Sequence, residues 1–140
     1  MKVAIVYDSK TGKTRRAAEE MAAMVRDAGH EYSVHPVQEA DPAEVAAADA
    51  ICIGSWTQGL MLILQHATQA TIDFIDLLSP LHGKPAAVFC TYLVATGKML
   101  PKMADRLRAR GADVTGQFKV RGPMAAKSFG EWVRTLEKGG

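Results

Sequence analysis

With 140 residues, 48% of them apolar and 23% charged, the chain is long enough to close one hydrophobic core and has the composition of neither a disordered nor a fibrous protein. A formal net charge of +2 is too small to argue for nucleic acid as a partner. The longest apolar runs, such as Leu60 to Leu64, fall well short of a membrane span, and Met1-Lys2 precedes only a strand-length run, so the reading is a single cytoplasmic domain over residues 1–140 with no secretory leader.

The first apolar run, Lys2 to Tyr7, reads as a strand and leads at once into Ser9-Lys10-Thr11-Gly12-Lys13-Thr14. Hydroxyls at Ser9, Thr11 and Thr14, a glycine that lets backbone N–H groups come close, and a following helix start with unpaired donors together suit a phosphate group. The plainer alternative is a β-to-α turn with Thr14 as helix N-cap. Lys10, Lys13, Arg15 and Arg16 gather at the same helix start, where each cation is unfavourable by about 0.3–1 kcal/mol unless an anion balances it. Ala17, Met21, Val25 and Ala28 mark the buried stripe of this helix, and Gly29 stops it.

Further strands are expected at Tyr32 to Val37, Ala50 to Gly54, Ala86 to Cys90 and Val114 to Val120. Most are rich in Val, Ile or Ala without strict alternation, as strands buried on both faces are, and the first, third and fourth of the five read as central. A short alanine-rich helix falls within Asp41 to Asp49. A long one runs from about Leu60 to Leu78 on a stripe of Ile63, Ala67, Ala70, Phe74 and Leu77. Leu100, Met103, Ala104 and Leu107 repeat the helical spacing before Gly111, and Phe129, Trp132, Val133 and Leu136 repeat it in the last helix, which makes Trp132 a core residue. Lys98, Lys102, Arg106, Arg108 and Arg110 cluster on the helix before Gly111, as a solvated face or as a docking patch for an acidic partner.

Apolar runs that alternate with helix-period segments predict a three-layer α/β/α sandwich on a parallel sheet with right-handed crossovers. Periodicity does not give the strand order. In such sheets the ligand sits outside the carboxyl ends of the strands, where Asp8 to Lys13, Ser55 to Gly59 and Thr91 to Lys98 should meet. Phosphate donors on the first loop, with Trp56 and Tyr92 on the other two, suit a flavin mononucleotide.

At these residues the chain resembles the flavodoxin family, whose phosphate loop runs serine or threonine, any, threonine, glycine, any, threonine; Ser9 to Thr14 matches it in full. The resemblance implies a five-stranded parallel sheet in the order 2-1-3-4-5, FMN as cofactor and a role in electron transfer. Ser55-Trp56-Thr57-Gln58-Gly59 is similar to the family's second loop, which implies that Trp56 stacks on the isoalloxazine and that the Thr57-Gln58 peptide lies near the flavin N5. The cofactor-binding residues so implied are Ser9, Lys10, Thr11, Gly12, Lys13, Thr14, Ser55, Trp56, Thr57, Gln58, Gly59, Thr91, Tyr92 and Gly97.

The third loop departs from the family pattern in lacking the glycine-aspartate start and the later tyrosine. The slightly basic balance departs from the family's acidic electron carriers. Thr57 replaces the glycine or asparagine that best allows the loop peptide to turn through positive φ, so a less stabilised one-electron-reduced flavin is expected. Part of Leu60-Met61-Leu62-Ile63-Leu64 is left to face outward as a surface for a redox partner protein, a small quinone-like substrate or a homodimer contact, or else is buried under the third loop.

Other chemistries lack their residues. Gly12-Lys13-Thr14 is no Walker loop, because Tyr7 stands where the first glycine is required. Gly54-Ser55 stands where a receiver domain needs its phosphorylatable aspartate. His30, His35, His66 and His82 have no metal-ligand spacing. Cys52 and Cys90 sit within apolar runs as reduced core residues. Three functions stay open: a flavodoxin-type electron carrier, an FMN-dependent oxidoreductase acting on a quinone, and a flavin-free interaction domain. No acid-base pair is proposed, since the cofactor carries the chemistry.

Overall fold

Strand β1 (Lys2–Asp8) shows why no alternation is visible in the sequence: Val3, Ile5 and Tyr7 pack into one layer of the core and Ala4 and Val6 into the other, all of them buried. The structure is a computed structural model that describes residues 1–10, 12–60, 63–91, 99–120 and 125–139, with 58–60, 63–66, 125–126 and 137–139 described as backbone. The chain continues through α1 (Lys13–Asp27), β2 (Glu31–Pro36), α2 (Pro42–Ala46), β3 (Ala50–Trp56), β4 (Gln58–Leu60) and β5 (Ile63–His66). There follow α3 (Gln69–Asp76), β6 (Pro85–Thr91), α4 (Met99–Ala109), β7 (Asp113–Val120) and α5 (Ala125–Gly139).

Five strands form one parallel sheet in the order β2-β1-β3-β6-β7, while β4 and β5 form a separate antiparallel pair. Counted along the main sheet alone, this is the order 2-1-3-4-5, and β1, β3 and β6 are its central strands as expected. Each helix lies where its apolar stripe finds a sheet face. Ala17, Ala18, Met21, Ala22 and Val25 of α1 join Phe129, Trp132, Val133 and Leu136 of α5 over Val3, Ile5, Cys52 and Phe89. On the other face, α2, α3 and α4 cover Ala4, Val6, Ile51, Ile53, Val88 and Cys90. Trp132 is a core residue whose indole N–H donates to Thr115 Oγ1 at 2.8 Å, which satisfies its only polar group.

The helix expected from about Leu60 to Leu78 does not form as one element. The chain makes the β4–β5 hairpin, pairing Gln58 with His66 and Leu60 with Ile63, and α3 starts only at Gln69. Thr68 sets the boundary: its backbone is extended and its hydroxyl accepts from Thr71 N, capping the helix there. An unbroken apolar run carries no period that separates strand from helix, which is why the pattern misled. The stripe shifts with the boundary, so that Thr71, Phe74, Ile75 and Leu78 are buried while Ala70 is exposed and Leu77, the residue that ends the helix, is 69% exposed.

The strands also run past their expected ends on the side that matters for function. Ser55 and Trp56 belong to β3, where Ser55 pairs with Asp8 and Cys90, and Trp56 pairs with Thr91. Gly54 permits this register, because a Cβ there would lie 2.0 Å from Phe89 Cζ.

Candidate functional site

The carboxyl ends of β1, β3 and β6 stop side by side at Asp8, Trp56 and Thr91, and the helix after β1 begins beside them. Gly12 is the residue that turns the chain into α1. Its φ of 90° is the left-handed region, and a Cβ built on it would meet nothing within 4 Å among the described residues, so as far as they extend the space in front of it is open. Ser9 Oγ accepts from Gly12 N at 3.0 Å, and Arg16 N makes the first intrahelical bond to Gly12 O at 2.9 Å. Among the described residues no side chain caps α1, so the N–H groups of Lys13, Thr14 and Arg15 point out of its first turn toward the open space.

Thr14 is not the N-cap of this helix. It lies inside the first turn, is 1% exposed, and its hydroxyl forms a 2.6 Å hydrogen bond with the hydroxyl of Thr91. Two hydroxyls that share one bond leave one proton free to donate, so the pair offers an anion a single O–H.

Thr91 also holds the neighbouring loop. Its carbonyl accepts from Thr57 N at 3.1 Å and from Thr57 Oγ1 at 2.9 Å, and Thr57 Oγ1 lies 3.2 Å from Met99 Sδ. Ser55 is fully buried, donating to Trp56 O at 2.8 Å and accepting from Thr68 N at 3.1 Å, so its side chain braces the strand end against α3. Trp56 is half-buried, with Lys10 Nζ 5.0 Å from its ring centroid. Gln58 and Gly59 lie on the β4 backbone. Thr11, Tyr92 and Gly97 fall outside the described residues, as do the side chains of Leu60 to Leu64 on which an outward-facing surface was expected.

A carboxylate that the sequence reading gave no role completes the floor of the site. Asp8 is 8% exposed and accepts from Thr68 Oγ1 at 2.5 Å and from Gln38 Nε2 at 3.2 Å. It thereby ties the end of β1 to the start of α3 and to the turn after β2. An aspartate closing an otherwise apolar strand was the available signal, but its partners are 60 and 30 residues away and leave no local pattern.

The charges separate into engaged and open ones. Arg15 pairs with Glu19 at 2.9 Å, and Lys13 and Arg16 stand exposed on the first turn of α1, which holds no acidic residue. The basic cluster on and just after α4 is largely engaged within the chain. Arg106 pairs with Asp76 at 2.6 Å, Arg108 with Asp105 at 3.1 Å, and Arg110 Nε donates to Leu78 O at 2.9 Å. Lys98 lies outside the described residues, and Lys102 remains at the rim of a cleft of about 270 Å³ between α3 and α4, floored by Met99 and Met103.

Both cysteines are fully buried free thiols. Burial drives Cys52 far above the ordinary thiol range and pushes Cys90 up to about 12, so neither is a thiolate near neutrality. Among the described residues no cluster of His, Cys, Asp or Glu is placed to hold a metal ion, and no helix is long and apolar enough to cross a membrane.

Comparison with known proteins yields one consistent match. The Flavodoxin domain family matches residues 4–136. A flavodoxin of Megasphaera elsdenii is 30% identical over 114 residues, covering 81% of this chain and 82% of that protein. The solution structure of two-electron reduced Megasphaera elsdenii flavodoxin superposes with a TM-score of 0.82 at 28% identity, over 95% of this chain and 98% of that one. A flavodoxin of Streptococcus pneumonia TIGR4 shares the fold, with a TM-score of 0.84 at 19% identity over 100% of both chains.

Proposed function

The chain belongs to the flavodoxin family, and from that premise we propose that it is an FMN-binding electron carrier that shuttles reducing equivalents between redox partner proteins in the cytoplasm. The observation that carries the reading is the open cradle at Gly12, where uncapped N–H groups of α1, the spare proton of the Thr14–Thr91 pair and the exposed Lys13 and Arg16 all suit a phosphate dianion. A side chain at Gly12 would project into that space, and the donor set matches phosphate chemistry without needing a metal.

In this reading Ser9, Thr11, Gly12, Lys13 and Thr14 bind the phosphate end of FMN, and Lys10 contacts the cofactor from beside Trp56. Trp56 and the Thr57-Gln58-Gly59 segment take the ring, and Thr91, Tyr92 and Gly97 border it. Ser55 and Asp8 act one step back, holding the strand ends at which the ligand-contacting residues sit. Bound FMN supplies the one- and two-electron chemistry. The protein binds it, orients it and sets the electrostatic field around it.

The test is an FMN titration of the apoprotein followed by fluorescence quenching, with riboflavin as the control that lacks the phosphate. Tight quenching of FMN and much weaker quenching of riboflavin are expected. A colourless protein that quenches neither would make the chain a flavin-free domain. Turnover of NAD(P)H with a quinone and no added reductase would make it an oxidoreductase instead.

A further inference from the structure

Lys10 has no evident place in a cradle whose anion already meets Lys13, Arg16 and the start of α1. Its ammonium lies at the other end of the site, 5.0 Å from the Trp56 ring centroid. A cation so placed is held by the ring quadrupole and by the short tether between Asp8 and Gly12. Among the described residues little offsets its charge. Asp8, two residues away, is turned inward to Thr68 and Gln38, Glu19 is paired with Arg15, and the first turn of α1 holds no acid.

We propose that Lys10 is the charge that tunes the reduction potential of the bound cofactor, its ammonium on Trp56 favouring reduced over oxidised FMN. The inference rests on FMN binding beside Trp56. Two electrons from a partner protein and one proton from solvent convert the neutral isoalloxazine ring into an anion, which a nearby cation stabilises. The phosphate carries the same charge in both oxidation states, so a cation that met only the phosphate would change affinity and leave the potential alone. Lys10 and Lys13 therefore divide the work: Lys13 adds affinity, and Lys10 adds potential.

Position 10 is one of the two places in the phosphate loop that the family pattern leaves open, so the loop motif does not demand a lysine there. A lysine side chain is long enough to keep its charge within a Debye length of about 8–10 Å from any ring held by Trp56. The interaction is partly exposed and so should weaken with salt.

The experiment compares wild type, K10Q, K10R and K13Q as FMN-loaded proteins, measuring the dissociation constant for oxidised FMN and the two-electron midpoint potential at low and high salt. K10Q should lose about threefold to tenfold in its preference for reduced over oxidised FMN, a drop of roughly 15–30 mV for a two-electron couple. K10R should keep the wild-type potential, K13Q should bind FMN more weakly at nearly unchanged potential, and the K10Q difference should shrink at high salt. Equal potentials for wild type and K10Q, both loaded with FMN, would overturn the role of Lys10 while leaving FMN binding intact. Failure of the wild type to bind FMN would overturn both readings together.

Discussion

The hydroxyls of Thr14 and Thr91, 77 residues apart in the chain, meet at 2.6 Å in the interior, directly beneath the start of α1. The same Thr91 holds Thr57 through its carbonyl, so one residue at the end of β6 ties the phosphate end of the site to the aromatic end. Thr91→Val keeps the shape and removes the hydroxyl, leaving Thr14 with a buried unpartnered O–H. A loss of about 1–3 kcal/mol is expected in urea denaturation, with Thr91→Ser close to wild type. Equal stability of the Val and Ser variants would mean that the hydroxyl pair contributes nothing.

Gly12 separates a conformational requirement from a packing one. Its φ of 90° is costly for a β-branched residue, yet a Cβ there meets no atom of the described residues within 4 Å. Gly12→Val should therefore cost about 1–3 kcal/mol through backbone strain while the apoprotein still folds, and it should abolish FMN binding by standing in the cradle. Thermal unfolding of the apoprotein and an FMN titration measure the two effects separately.

Thr57 is fixed more firmly than its residue type alone implies. Its N–H and hydroxyl both donate to Thr91 O, at 3.1 and 2.9 Å, so a β-branched residue that already resists positive φ is also clamped. Thr57→Gly removes the hydroxyl bond and frees the loop peptide. It should raise the amount of one-electron-reduced flavin that accumulates during photoreduction, at a stability cost of about 0.5–1.5 kcal/mol. Nearly complete one-electron accumulation in the wild type would show that the clamp does not limit the turn.

How far these relationships could be read from the sequence depends on how local they are. The three central strands of the main sheet were visible because strands buried on both faces leave dense apolar runs, and α1, α4 and α5 because each buries a single stripe at helical spacing. The phosphate loop was visible because its donors are consecutive. The β4–β5 hairpin was hidden in an apolar run with no period, and only the cap at Thr68 reveals where α3 starts. Asp8 with Thr68, and Thr14 with Thr91, join residues far apart in the chain, and nothing in the sequence near one announces the other. The cations from Lys98 to Arg110 read as a solvated face or a docking patch, because the partners of Arg106 and Arg110, Asp76 and the Leu78 carbonyl, lie at and just after the end of α3.

Gly54 is a packing requirement that sits one residue before the site. A Cβ there would come within 2.0 Å of Phe89 Cζ, and Phe89 is fully buried in the layer beneath α1 and α5. Gly54→Ala must push the ring aside, so a loss of about 1–3 kcal/mol is expected, accompanied by weaker FMN binding as Ser55 and Trp56 shift with the strand. Phe89→Leu in the same chain should recover part of the stability by clearing the clash, a coupling that a double-mutant cycle would detect.

Alkaline stability offers a test of the buried thiols. Burial pushes Cys90 up to about 12 from an ordinary 9.0 and moves Cys52 in the same direction, so the folded chain keeps both thiols protonated where the unfolded chain begins to lose them. Above about pH 9 the unfolded state then binds fewer protons than the folded one, and stability must fall as pH rises. The thiol contribution is fully present below the unfolded pKa and declines by up to about 1.4 kcal/mol per pH unit for each cysteine until the folded pKa is reached. Urea midpoints measured from pH 8 to 11 should show this decline, and Cys90→Ala, although less stable at pH 8 for want of the sulfur, should show a shallower slope. An identical slope in the variant would mean that Cys90 ionises equally easily in the folded chain, which its full burial beside Thr57 argues against.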